Sequence, residues 1–201
     1  MATRDLIDQS RYARWVNASH SIDAVLPGAA TIIQGLGKLD AKLVCEDANF
    51  RDLPQEQRAS LEQSLILTER FTLSYLWVLG AYEVTRATWD RVDKKPERLP
   101  KRFTKRLASL KREFARLRMP LAKLEPANAH PNDLAIARPA MHRELGISWR
   151  VASRTFIPRR KLSDKLLALL EAIEKRREKG HNHLTSRSAG RAKRHAGVFR
   201  R

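Results

Sequence analysis

The residues with the most chemical potential in this chain are cations. Between positions 101 and 123 stand Lys101, Arg102, Lys105, Arg106, Lys111, Arg112, Arg116, Arg118 and Lys123, against one acid, Glu113. A solvated helix ordinarily mixes signs, because opposite charges three or four residues apart stabilise it and like charges there repel. A stretch that keeps like charges together is easier to understand if phosphates neutralise them. The plainer alternative is a basic face hydrated by water. Arg159-Arg160-Lys161 form a second cluster, and Arg187, Arg191, Lys193, Arg194, Arg200 and Arg201 a third, near the C-terminus. The contacts expected from this pattern are Lys101, Arg102, Lys105, Arg106, Arg112, Arg116, Arg159, Arg160, Lys161, Arg191, Lys193 and Arg194. Few aromatic residues interleave with them, so stacking on bases has little support. The expected partner is therefore the phosphate backbone of RNA or DNA, without sequence reading.

Catalysis has less to work with. An Arg followed four to six residues later by a His is the signature of the HEPN ribonucleases, which are small helical bundles. Arg14/His20, Arg176/His181 and Arg177/His183 fit that spacing, but 27 Arg and six His produce such matches by chance. Arg118, which follows the most basic stretch, meets Leu124 rather than His at the corresponding distance. Arg176, Arg177, His181 and His183 are the only catalytic candidates under this alternative. His181-Asn182-His183 lacks a third ligand for a metal, and no Ser/His/Asp or Cys/His arrangement is evident, so no metal or cofactor is expected. Glu69, Glu83, Arg86 and Asp90 fall on one line of a helix, either a solvent edge or a charged pocket. Cys45, the single cysteine, lies in the apolar run Leu43-Val44-Cys45, which favours a small buried side chain. One cysteine excludes an internal disulfide and suits a reducing cytoplasm.

The charge is divided unevenly. Residues 1–93 hold 10 Lys/Arg and 13 Asp/Glu, a net of −3; residues 94–201 hold 30 and 9, a net of +21. Such asymmetry points to an anionic partner. It also permits a third function, self-assembly, in which the acidic half of one copy meets the basic half of another. The N-terminus carries acids where a signal peptide would be apolar, so neither secretion nor a membrane span is expected.

Positioning falls to helices. Phe71-Thr-Leu-Ser-Tyr-Leu-Trp-Val-Leu-Gly-Ala-Tyr82 carries no charge and puts apolar groups on every side, which predicts a helix over roughly 58–92 buried all round. Thr3 to Asn17 reads as a first helix capped by Thr3. After Pro27-Gly28, Ile32, Leu36, Leu39 and Leu43 form the seam of a second, in which Gly35 and Gly37 would let a neighbour approach. Asn49 to Pro54 reads as a turn. Phe103, Leu107, Leu110, Phe114, Leu117, Leu121 and Leu124 step by four and three, an unbroken narrow seam, with Pro120 bending or ending that helix near Met119.

Leu134–Arg138 and Ile147–Val151 alternate and predict a two-stranded hairpin standing off the bundle, turning at His142–Gly146. A last helix over about 158–179 buries Leu162, Leu166, Leu169, Leu170 and Ile173 and stops at Gly180. Together these predict one mainly α-helical domain over residues 1–180, with an irregular excursion near 127–157 and a disordered basic tail over 181–201.

Trp77-Val-Leu-Gly-Ala-Tyr-Glu83, Leu117-Arg-Met-Pro-Leu-Ala-Lys-Leu-Glu125 and Gly146-Ile-Ser-Trp-Arg-Val151 resemble a group of small bacterial helical proteins of unknown role. The resemblance covers about half the chain. It implies a cytoplasmic helical domain and brings no activity or functional residues with it.

Overall fold

A computed structural model describes residues 7–196, with side chains up to Lys179. It is mostly helical, with a three-stranded antiparallel sheet between the fifth and sixth helices. Helix α1 (Gln9–Ala18) is capped by Asp8, whose side chain accepts from the Arg11 backbone N–H at 2.9 Å. Thr3, the expected cap, lies outside the described residues.

Helix α2 (Ala29–Asp52) begins at Gly28 and runs through the expected turn, leaving only Leu53 and Pro54 before the short α3 (Gln55–Arg58). The expected seam is kept in part: Leu43 is buried and Leu36 and Leu39 pack against the core, but the inner line is wider and excludes Ile32. Ile33, Gly37, Asp40, Ala41, Leu43, Val44 and Asp47 face inward, whereas Ile32 is 56% exposed. At Gly37 a Cβ would sit 2.3 Å from that of Trp15, so the glycine lets α1, rather than the central helix, lie against α2.

Helix α4 (Leu61–Lys94) is the long central helix. Ser60 caps it by accepting from the Gln63 N–H, and Glu62 in the first turn and Arg91 and Lys94 in the last match its dipole. It is not buried all round. Trp77, Val78, Ala81 and Val92 are fully enclosed, but Leu76 is 50% exposed and Leu61 and Leu65 project outward. The neighbouring helices cover one side, and α4 reaches past them at its N-terminal end. Trp77 fixes α4 to α2 by donating its indole N–H to the Leu36 carbonyl at 2.9 Å.

Helix α5 (Lys101–Ala122) packs on α4 and α6. Phe103, Leu107, Leu110, Phe114 and Leu117 are buried as the seam requires, and only Leu124, beyond the helix end, is exposed. Pro120 sits two residues before the end of α5, where one lost N–H costs little, and the helix closes normally with the Lys123 N–H on the Met119 carbonyl.

The sheet corrects the expected hairpin. Strand β1 is Arg138–His142, β2 is Gly146–Ala152, and β3, Thr155–Pro158, is an addition. Pro139 is no obstacle, because β1 is an edge strand and one face of its ladder needs no N–H. The sheet does not stand off the helices. Ile147, Ser148, Trp149 and Val151 of β2 are buried, the strand touches α2, α4, α5 and α6, and the Trp149 ring meets Phe71 edge-on at 5.5 Å.

Strand β3 leads directly into α6 (Arg159–Ala196), whose Leu162, Leu166, Leu169, Leu170 and Ile173 form the expected buried face. The α6 backbone continues through Gly180, where the sequence pattern stops and where a disordered tail was expected. Among the described residues no helix is long and apolar enough to cross a membrane.

Candidate nucleic-acid interface

The expected cations divide between the interior and the surface. Arg159 is fully buried, and its guanidinium bonds to Asp40 of α2 and lies 5.5 Å over the Trp77 ring. It cannot touch a polyanion. The short β3–α6 junction forces the first residue of α6 inside, and a carboxylate from the N-terminal half meets it there.

Asp40 also accepts from Arg11 and, at 2.9 Å, from the Trp15 indole. Seven residues on, Asp47 pairs with Arg70 and lies 4.0 Å from Arg159. Arg11 reaches Asp164 of α6 at 2.7 Å. Burial pushes the Asp40 carboxyl up, but Arg159 and Arg11 outweigh it and hold Asp40 below the usual carboxylate range. Burial likewise pulls the Arg11 guanidinium down, but Asp40 and Asp164 outweigh it and hold Arg11 above its ordinary value. This network joins α1, α2, α4 and α6, so it sets where the outer faces of α6 point.

One other expected contact is already paired, and a second is half-covered. Arg116 is held by Asp133 through two bonds of 2.7 and 3.0 Å, anchoring the loop that follows α5. The Asp133 bond raises the Arg116 guanidinium above its ordinary value, against slight desolvation. Arg160 is half-buried, with its Nε enclosed. Lys161 is exposed in the first turn of α6, about four turns before the α6 cations described next.

The remaining members converge. On α5, Arg102 and Arg106 are one turn apart and face α6; Lys101, Lys105 and Arg112 form the adjoining outward stripe, and all five are exposed. Across from them, Lys175, Arg176 and Lys179 project from α6. Arg102, Arg106, Lys175, Arg176 and Lys179 line an open groove of about 680 Å³ with Phe103 and Ala172 at its base. No carboxylate lines it, and among the described residues none pairs with these five. Arg102 spreads its guanidinium over the Phe103 ring at 4.5 Å, which covers the one aromatic face in the groove.

The acids of α6 lie on its other side. Glu171 takes both nitrogens of Arg14, at 2.7 and 3.0 Å, and Glu174 takes Arg177. With Glu178 they line a second depression beside α1, and Lys175 stands on the ridge between it and the groove, lining both. Further along the α5–α6 seam, Lys165 pairs with Glu113 and closes off the uncompensated stretch. Lys175 and Lys179 were missed by the sequence reading, and Arg176 was weighed only as a catalytic candidate. The signal was there in the sorting of signs by helical angle: acids at 171, 174 and 178, cations at 175, 176 and 179.

The catalytic alternatives gain no geometry. Arg14 is committed to Glu171, and the His20 imidazole lies 2.8 Å from Asp23. The His181 and His183 side chains lie outside the described residues, as do those of Arg191, Lys193 and Arg194. Among the described residues no three His, Cys, Asp or Glu side chains are placed to hold a metal ion. Arg86 bridges Glu83 and Asp90, each at 2.8 Å, so that line is a solvent edge of paired charges. Its bond to Glu83 raises the Arg86 guanidinium above its ordinary value.

No family model, no curated protein and no solved structure matches the chain. The function has to be argued from the groove itself.

Proposed function

We propose that the α5–α6 groove binds the phosphate backbone of a nucleic acid strand, without reading its sequence and without catalysis. One observation carries this reading: five cations from two helices line one open groove, and no carboxylate lines it with them. Among the described residues none forms an ion pair with any of the five, although Lys175 and Arg106 also border openings that hold glutamates. Arg102/Arg106 and Lys175/Lys179 are like-charged pairs one turn apart, each costing the free protein about 0.2–0.5 kcal/mol. The acids of these helices go elsewhere: Glu171 holds Arg14 of α1, Glu174 holds Arg177 and Glu113 holds Lys165. A phosphate strand supplies the missing negative charge at regular spacing, and Lys101, Lys105 and Arg112 extend the positive field beside it. With its one aromatic ring covered by Arg102, the groove offers phosphate contacts and no stacking platform.

The test is fluorescence anisotropy of a labelled 20-nucleotide RNA, titrated across salt concentrations. Each phosphate contact to a single strand contributes about 0.7 to the slope of log affinity against log salt. Replacing Arg102 and Arg106 together with Gln is expected to lower that slope by about 1.4. Absence of binding at 50 mM salt, or an unchanged slope in the double variant, would remove the proposal.

A further inference from the structure

A second cavity lies elsewhere on the molecule, between the C-terminal end of α2, the short α3 and the β1–β2 turn. Its volume is about 510 Å³, within the range of roughly 300–1,000 Å³ usual for small-molecule sites. Three guanidinium-bearing residues line it from three different elements: Arg51 of α2, Arg58 of α3 and Arg143 of the turn. All three are exposed, and among the described residues no carboxylate pairs with Arg58 or Arg143. Arg51 lies 3.7 Å from Asp52 and donates to the Glu144 carbonyl at 3.3 Å, which points it toward the turn.

The one acid in the lining is Asp47, which is 6% exposed, already paired with Arg70, and 3.4 Å from the Ile147 N–H. It gives the cavity little negative charge to offer. His142 contributes a donor instead. Its Nδ1 lies 3.2 Å from the backbone N–H groups of both Glu144 and Leu145. Accepting from two N–H groups requires a lone pair on Nδ1, so the ring hydrogen sits on Nε2. The remaining walls are apolar: Phe50, with the Arg70 guanidinium 5.0 Å from its ring, and Met141, which is 42% exposed.

The turn is held against α2 by construction. Gly146 has φ +71°, and a Cβ there would lie 2.0 Å from the Asp47 carboxylate. That close approach brings Arg143 and His142 to the same opening as Arg51 and Arg58.

Three arginines, an N–H donor, a flat ring and a thioether form a combination suited to one ligand class. Guanidinium groups match phosphate oxygens in pairs. Met141 and the half-buried Phe50, one face of which Arg70 takes, offer a planar group apolar surface that the 2%-exposed Phe103 of the groove does not. We propose that this cavity binds a nucleoside phosphate, with the phosphates on Arg51, Arg58 and Arg143 and the base against Phe50 and Met141. The site shares no residue with the α5–α6 groove and stands independently of it.

The experiment is calorimetric titration of the full chain with ADP, adenosine and inorganic pyrophosphate at 150 mM salt. ADP is expected to bind at one site, more tightly than pyrophosphate, and adenosine not at all. Arg58→Ala with Arg143→Ala is expected to weaken ADP at least tenfold; both side chains are exposed and unpaired, and unchanged circular dichroism verifies the fold. Arg102→Gln with Arg106→Gln is expected to leave ADP binding as it was. No heat at millimolar ADP, or loss in the groove variant and not in the cavity variant, overturns the proposal. Pyrophosphate binding as tightly as ADP overturns the nucleoside part of it.

Discussion

Replacing Asp40 with Asn probes the interior network that aims both faces of α6. Asp40 is 0% exposed and accepts from Arg11, Trp15 and Arg159, the last also 0% exposed. Asn keeps the shape and removes the charge. Arg159 is then left with Asp47 at 4.0 Å as its nearest carboxylate, and Arg11 keeps only the half-exposed Asp164. Stranding a buried charge in this way costs about 3–5 kcal/mol. For a chain of this length each kcal/mol lowers the melting temperature by about 2–4 °C, so the expected fall is about 10 °C. Thermal and urea unfolding can be followed by tryptophan fluorescence, because Trp15 and Trp77 both touch the network. Arg86→Ala, which breaks an exposed pair, serves as the control and is expected to cost less than about 1 kcal/mol. Asp40→Leu combined with Arg159→Met removes both charges together and is expected to recover part of the loss. A loss below about 1 kcal/mol for Asp40→Asn alone would refute the claim that this network holds α6 in place.

Other substitutions and conditions follow from the same geometry. Gly37→Ala places a Cβ 2.3 Å from that of Trp15 and is expected to cost about 1–3 kcal/mol in urea unfolding. Gly146→Ala combines a positive φ with a Cβ pressed on Asp47 and is expected to cost at least as much. The acid arm of stability should report Asp40. Its folded-state carboxyl titrates below its unfolded value, so its contribution is complete above about pH 4 and lost as pH falls through the folded value. Asp40→Asn should therefore flatten that part of the pH profile. Glu46 is pushed up by burial, against the pull of Lys42 and Arg70, and contributes with the opposite sign, stabilising as the pH drops through its folded value. Asp133→Asn, which frees Arg116, is expected to raise proteolysis of the 123–137 loop while lowering stability by about 1 kcal/mol or less.

The sequence disclosed those parts of the fold that depend on local pattern. The seam from Phe103 to Leu117 and that from Leu162 to Ile173 need only a neighbour of any kind, and both are buried as the spacing requires. The α2 seam was right for Leu36, Leu39 and Leu43 but wrong for Ile32, and it missed the Gly37, Asp40 and Asp47 part of the inner line. Hydrophobicity cannot flag a glycine that admits Trp15, nor aspartates whose arginine partners lie at positions 11, 70 and 159. The same long-range pairing hides in Arg159, which sits in a basic tripeptide and reads as surface until Asp40 is found opposite it. Strand β1 was displaced because Pro139 looks like a breaker, and only its edge position makes it tolerable. Helical angle alone puts Arg102 and Arg106 on one face, so half of the groove was legible. The other half needed α6 to be laid beside α5, since nothing in the order of the chain brings Lys175 near Arg102.

The most direct test of the groove is amine-reactive labelling of the full chain with and without a generic RNA strand at low salt, read lysine by lysine by mass spectrometry. Lys175 and Lys179, in the groove, and Lys101 and Lys105, beside it, should lose reactivity when RNA is present. Lys42 on α2 and Lys161 in the first turn of α6 should keep theirs. Protection of Lys42 or Lys161 with Lys175 and Lys179 left reactive would contradict the account.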